Sequence, residues 1–431
     1  MPRRFGTFTG GIDLPYEKEA TLESPIRPCR RPRRLLVPLA PAGGEPAEAT
    51  VTPGDYVSAG ETLASGGAIS AVFAPLAGRV ASQTTARVAV GGDFVTVPAL
   101  ELVELGEHIT LRSLEQVYDW RRDDAATLRH RLGEGGLALH RRRPTPLNRW
   151  LEKARRHNCR TLIANAMEGQ SYVTSDERLL VEHGAEVSRG LAILGRAIEA
   201  DEILLAVDRR RTDDYRDLVG PARMYDIKRI ALPHKYPIGA DNVLAKVLLR
   251  REPPPGAGPI SVGAAVVDVA TCLAVYRWVA CEAPPRGRVV TISGERATEH
   301  GNFYVPFGTE WTELPVVAEP PVIHGGPMMG RQCEPQVIVS PSTIALLAIR
   351  TTDNTAPPSP CIRCGWCTDH CPARLNVAAL NDDYELALVD HARKMNVAAC
   401  VDCGVCTYVC PARLPLSQRV RELKRAVRSE S

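Results

Sequence analysis

The sequence predicts a multidomain α/β protein in four parts: a β barrel-sandwich over 1–110, an α/β domain over 111–255, a small β domain over 256–355 and a helical module over 356–431. Three observations carry this reading. Short Val- and Ala-rich runs punctuated by Gly and Pro fill the first hundred or so residues. Strand-like and helix-like runs then alternate over 159–250. Finally, eight of the thirteen cysteines fall in two copies of one pattern near the C-terminus.

In the first part, Pro53-Gly54-Asp55, Ser65-Gly66-Gly67, Pro75, Gly78 and Gly91-Gly92 mark turns between short strands. The runs around 53–57, 60–63 and 74–78 resemble a biotinyl/lipoyl-type barrel-sandwich. Such a fold carries its cofactor on a hairpin lysine, and no lysine lies between Leu63 and Ala74. A structural sandwich without a swinging arm is therefore expected. The basic stretch 27–34 is broken by Pro28 and Pro32, so a solvated loop is expected there, not a helical face for an acidic partner.

The second part reads strand at 161–164, helix from Thr174-Ser175-Asp176-Glu177 towards Ile198, strand at 202–207, short helix at 214–223, strand at 228–232 and helix at 240–250. This is a parallel-sheet pattern, and ligands of such sheets sit at the carboxyl ends of strands, here 165–172 and 233–239. The apolar run 262–280 is interrupted by Asp268 and Arg277, which points to a buried core helix instead of a membrane span. A strand at 289–292 and a Gly/Pro-rich β segment through Gly325-Gly326-Pro327 follow. Pro357-Pro358-Ser359-Pro360 then opens the last part, with helix expected over 377–397 and a basic amphipathic helix over 416–428.

Cys361, Cys364, Cys367 and Cys371 precede Pro372, while Cys400, Cys403, Cys406 and Cys410 precede Pro411. Each copy reads C-x2-C-x2-C-x3-C-P, the run of bacterial two-cluster ferredoxins, in which the fourth cysteine ligates the other cluster. The pattern predicts two [4Fe–4S] clusters, one on Cys361, Cys364, Cys367 and Cys410, the other on Cys400, Cys403, Cys406 and Cys371. Zinc knuckles need no third cysteine at the same step, and disulfides would not confine most cysteines to one segment of a long chain. Arg363, Arg374, Lys394 and Arg413 lie close to the runs and would favour reduced clusters if near them in space. Cys29, Cys159, Cys272, Cys281 and Cys333 read as ordinary buried thiols.

A net charge of +3 and 5% aromatic residues give no platform for nucleic acid. Cluster cysteines must stay reduced during assembly, which implies the cytoplasm. Met1-Pro2-Arg3-Arg4 is not followed by an apolar stretch, so no signal peptide is expected.

Further runs carry a resemblance over most of the chain: Phe8-Thr9-Gly10-Gly11-Ile12 with Pro15 and Lys18, the stretch Asn165 to Tyr172, Leu232-Pro233-His234-Lys235-Tyr236-Pro237-Ile238-Gly239, Gly325-Gly326-Pro327-Met328-Met329-Gly330, and the doubled cysteine run. In this order they resemble the RnfC component of the Rnf electron-transport complex. The resemblance implies a peripheral protein on the cytoplasmic face of the cell membrane, partnered by membrane subunits and a ferredoxin-like carrier. It implies an α/β domain like the flavin-carrying part of complex I, with FMN, NAD(H) and two [4Fe–4S] clusters. Glu168, Tyr172 and Lys235 match the positions that would contact the flavin or nicotinamide nucleotide. The family's Gly-rich flavin-phosphate loop is matched by 137–145, where Leu139-His140 replace the glycine pair and Arg141, Arg142 and Arg143 follow. Two arrangements are compatible with that change: the arginines hold the phosphate by charge, or the cradle is lost. Three functions follow: an NAD-linked component of the complex, a flavin-less iron–sulfur relay for another redox partner, and a scaffold with structural clusters.

Overall fold

A computed structural model describes residues 7–107, 109–215, 218–315, 321–350 and 357–429. At its centre lies a four-stranded, wholly parallel sheet in the order Ile227–Leu232, Glu202–Asp208, Thr161–Ala166, Ala264–Asp268. Its strands are near-continuous apolar runs because both faces are covered. The long helix Ser175–Ala197 packs on Val269–Cys281, and Gly190 makes the approach possible, since a Cβ there would collide with the Cys272 carbonyl. Asp241–Leu249 covers the opposite face.

The run 262–280 is not one helix. Ala264–Asp268 is a strand and Val269–Cys281 a helix, joined at Asp268, whose carboxylate caps the helix by accepting from the Thr271 amide at 2.7 Å. The α/β layer therefore extends to Cys281 and takes its fourth strand from beyond the Pro253-Pro254-Pro255 turn. The long helix also starts differently from the capping-box expectation. Thr174 spends its hydroxyl on Thr21 and Asn302, and the cap is supplied by Glu168. Of the helix expected at 214–223, Val219–Met224 is helical, and residues 216–217 lie outside the described set, as does Met1–Arg4.

The N-terminal part pairs Gly78–Val90 with Asp93–Val103 in a long hairpin flanked by Leu35–Pro38 and Tyr56–Val57, against a smaller sheet of Glu48–Ala49, Thr62–Ser65 and Ala71–Phe73. One hydrophobic core runs from this sandwich (Leu35, Leu63, Leu100) into the α/β layer (Leu162, Leu180, Tyr276). Part of the basic stretch is not a loop: Ile26–Pro28 forms a strand, parallel to Gly301–Pro306, at the edge of a six-stranded sheet built on Gly287–Ser293. The C-terminal module is helical, with Leu416–Ser429 packed across Val377–Glu385 and Val389–Lys394.

Candidate electron-transfer site

The two cysteine runs fold as near-copies. Arg363 and Asp402 take φ 56 and 56, Gly365 and Gly404 take 82 and 82, and Arg374 and Arg413 take 56 and 56. Each run wraps a short turn opened by its glycine, Trp366–Asp369 in the first and Val405–Tyr408 in the second. Two cavities result. One is lined by Cys361, Cys364, Cys367 and Cys410, with about 370 Å³ of atom-free space including its mouth. The other is lined by Cys371, Cys400, Cys403 and Cys406, with about 390 Å³. Among the described residues no group of three or more His, Cys, Asp or Glu side chains is arranged to hold a single metal ion. Thiols spread around a cavity are what a cube with iron at four corners requires.

The donor chemistry fits such a cluster. Amides of Leu375 and Asp402 donate to the Cys371 and Cys400 sulfurs, each at 3.4 Å, the kind of contact that stabilises negative charge on ligated sulfur. Burial pushes the Cys400 and Cys406 thiols up to about 12, so the negative charge that a cluster needs would come with the iron that displaces the proton. Apolar side chains make up much of the walls: Leu375, Val377, Val405 and Val420 at the second cavity, beside Asp402 and Ser417, and Leu414 and Leu416 at the first, beside Arg363 and Asn381.

The surroundings break the symmetry. Cys364 is exposed, and Ile362 and Trp366 stand 64% and 53% open to solvent at the first cavity. The second cavity is enclosed by three remote segments. Gly10 lies so close that a Cβ would sit 2.7 Å from the Cys371 carbonyl oxygen, and the Gly11 amide donates to the His370 carbonyl at 2.8 Å. The Tyr236 hydroxyl donates to the Cys403 carbonyl at 2.6 Å. Gly404 meets the Met328 carbonyl. The glycine-containing runs at 8–12, 232–239 and 325–330 thus converge around the second cavity, the first at Cys371 and the other two at Cys403 and Gly404. Sequence separations of up to nearly four hundred residues hid this, and the only local signal was glycine where φ is positive.

Glu168, Tyr172 and Lys235 brace the frame around the crevice. Glu168 accepts from the Ser175 hydroxyl at 3.0 Å and from the Asp176 and Glu177 amides at 3.2 and 3.1 Å, closing the start of the long helix. Tyr172 takes φ 67 and donates its hydroxyl to Glu295 at 3.0 Å. Lys235 donates to the Phe8 carbonyl at 3.0 Å and lies over the Phe8 ring, clasping the N-terminal segment. Glu168→Ala is expected to lower stability by about 1–2 kcal/mol through loss of the cap, with the visible cluster spectrum retained. Thermal unfolding followed by circular dichroism checks this, and an unchanged midpoint would free Glu168 for a ligand role.

A ligand of the parallel sheet belongs at the switch point between Thr161–Ala166 and Ala264–Asp268. The 137–147 loop lies over that crevice and puts the Arg141 side chain in it. The His140 amide donates to Asp268 at 3.0 Å and Thr271 at 2.9 Å, and the Leu139 amide donates to the Thr145 carbonyl. Arg141 pairs with Asp241 and lies 3.6 Å from Asp268. Desolvation, then the charge of Glu168, pushes the Asp176 carboxyl up, and desolvation pushes Asp241 up. Arg141 Nη1 is paired while its Nη2 is buried with no hydrogen-bond partner among the described residues; one guanidinium beside Asp176, Asp241 and Asp268 opposes a flavin phosphate there. Arg363 pairs with Asp382 and Arg374 with Glu252, both at exposed positions.

Family models match in three stretches: the RnfC barrel sandwich hybrid domain over 6–99, the Nuo51 FMN-binding domain over 143–277 and a 4Fe-4S dicluster domain over 355–411. The architecture is therefore a barrel-sandwich, a domain of the FMN-binding type and a 4Fe-4S dicluster module, joined in one α/β chain. The RnfC component of the ion-translocating oxidoreductase complex of Yersinia enterocolitica is 31% identical over 388 residues, covering 85% of this chain and 54% of the relative. That of Erwinia tasmaniensis is 33% identical over 442 residues, covering 99% and 54%. The chain thus spans about half the length of these curated relatives. A solved chain of an NAD+-reducing [NiFe]-hydrogenase superposes with TM-score 0.47 at 15% identity, covering 71% of this chain and 66% of that one.

Proposed function

We propose that this chain, a homologue of the RnfC component of ion-translocating oxidoreductase complexes, is a one-electron relay in an Rnf-type membrane assembly. The observation that carries the reading is the pair of cavities, each lined by three cysteines of one run and the trailing cysteine of the other. Bound there, two [4Fe–4S] clusters supply one-electron chemistry. The chain's part is to hold the clusters by those eight thiolates, exclude water with the apolar walls, and keep the two sites close. Cys406 of one set lies within electrostatic reach of Cys367 of the other. The exposed first cluster is the face for a ferredoxin-like partner, and the enclosed second cluster lies towards the body of the chain. On this reading the chain sits peripherally on membrane subunits at the cytoplasmic face; among the described residues no helix is long and apolar enough to cross a membrane.

Exchange with NAD(H) through FMN is the second reading, favoured by the family-model match over 143–277. The charge of the switch-point crevice opposes it. Cofactor analysis of anaerobically purified protein separates the two. About eight irons per chain, no flavin on acid release and no bleaching by NADH are expected. Stoichiometric FMN with bleaching by NADH would overturn the flavin-less reading, and absence of iron would overturn the relay itself.

A further inference from the structure

The two cluster loops share their backbone conformation at the matching positions. What differs is the charge packed behind them. The first loop carries Arg363, exposed and neutralised by Asp382. At the matching position the second carries Asp402, paired with Lys424 at 3.0 Å, while Lys424 also donates to the Cys400 carbonyl.

Behind this pair lies Arg142, from the loop that lies over the switch-point crevice. Its Nε and Nη2 are buried and have no hydrogen-bond partner among the described residues. The Gly91 amide donates to the Arg142 carbonyl at 2.9 Å, and the bare face of Gly92 leaves room for the guanidinium, since a Cβ there would collide with Nη2. Arg142 borders the same space as Gly325, Gly326 and Met329, whose neighbour Met328 touches Gly404. It lies within electrostatic reach of Tyr236 and Asp402, both bonded to the second cluster's loop. Two buried guanidinium nitrogens without a bonded partner are costly unless an anion lies close. Asp402 already answers Lys424. A cluster held by the second cavity would add an anion beside the same loop, since its four thiolates would outweigh its core charge and reduction would add another negative charge.

We propose that Arg142 sets the potential of the second cluster, raising it above that of the first by stabilising the reduced form. The inference rests on the two-cluster reading, so iron and sulfide content of the wild type is measured first, and their absence would sink that reading instead. The test is a redox titration followed by electron paramagnetic resonance on wild type, Arg142→Gln and Arg142→Lys, each at low and high salt. In Arg142→Gln the second cluster's potential falls and the first cluster's does not. Arg142→Lys restores it, and the difference survives high salt because the charge is buried. Unchanged potentials in Arg142→Gln with both clusters present would overturn the proposal, as would an equal shift of both. Loss of the second cluster in Arg142→Gln but not in Arg142→Lys would also overturn it, assigning the charge to holding the cluster instead of tuning it.

Discussion

Cys410→Ala is expected to damage the cluster of the first cysteine run and to spare that of its own run. Cys410 closes the cavity of Cys361, Cys364 and Cys367, while Cys371 closes that of Cys400, Cys403 and Cys406. A cube that loses one thiolate exposes an iron, which is shed or leaves with the whole cluster. Iron should fall from about eight towards about four per chain, the count of one intact [4Fe–4S] centre. The resonance signal lost in Cys410→Ala should be the one lost in Cys361→Ala, and Cys371→Ala should share its loss with Cys400→Ala. If Cys410→Ala and Cys400→Ala removed the same signal, the crossed ligand sets would be wrong and each run would hold its own cluster. Ferredoxin-partner reduction should fail more completely in Cys410→Ala than in Cys371→Ala, because the first cavity is the one open to solvent.

The expectation of crossed ligand sets comes from local spacing, three cysteines at one step and a fourth before proline. The parallel strands at 161–166, 202–208 and 227–232 were legible for the same reason: short apolar runs bounded by turn residues. The run 262–280 was not. An apolar stretch buried on all sides has no periodicity by which to separate strand from helix, and Asp268, which reads as an interruption, is the hinge at which one becomes the other. The role of Glu168 was hidden for a different reason. A carboxylate in a loop matches a ligand position as well as it matches a helix cap, and only the fold shows that the amides of Asp176 and Glu177 lie in front of it. The glycine-for-Leu139 exchange, by contrast, was informative without structure. A loop that has lost its bare backbone must do something else with its side chains, and here Arg141 pairs with Asp241 in the crevice while Arg142 borders the space beside the Gly325–Gly330 run.

Gly404→Ala and Gly365→Ala form the sharpest test of how that second cluster is built in. Both glycines open the turn after the second cysteine of a run, and both take φ 82. In that left-handed region any side chain costs about 1 kcal/mol, and the two substitutions share this penalty. Beyond it they differ. A Cβ at Gly365 meets nothing nearer than the Asp369 carboxylate at 3.9 Å, an ordinary contact. A Cβ at Gly404 lands inside the van der Waals radius of the Met328 carbonyl, a backbone atom with no rotamer to change. The 325–330 run must then back away, and overpacking of this kind costs about 1–3 kcal/mol more. Gly365→Ala should therefore keep both clusters and unfold only slightly earlier. Gly404→Ala should unfold at clearly lower denaturant and lose the second cluster's absorbance ahead of the first. Guanidinium titration monitored at the cluster band, with resonance spectra to assign which cluster goes, separates these outcomes. Equal losses in the two variants would mean that the contact between the Gly325–Gly330 run and the cluster loop contributes nothing to holding the cluster. The enclosed position of the second site would then be an accident of packing, and the electrostatic influence of Arg142 on it would lose its structural basis.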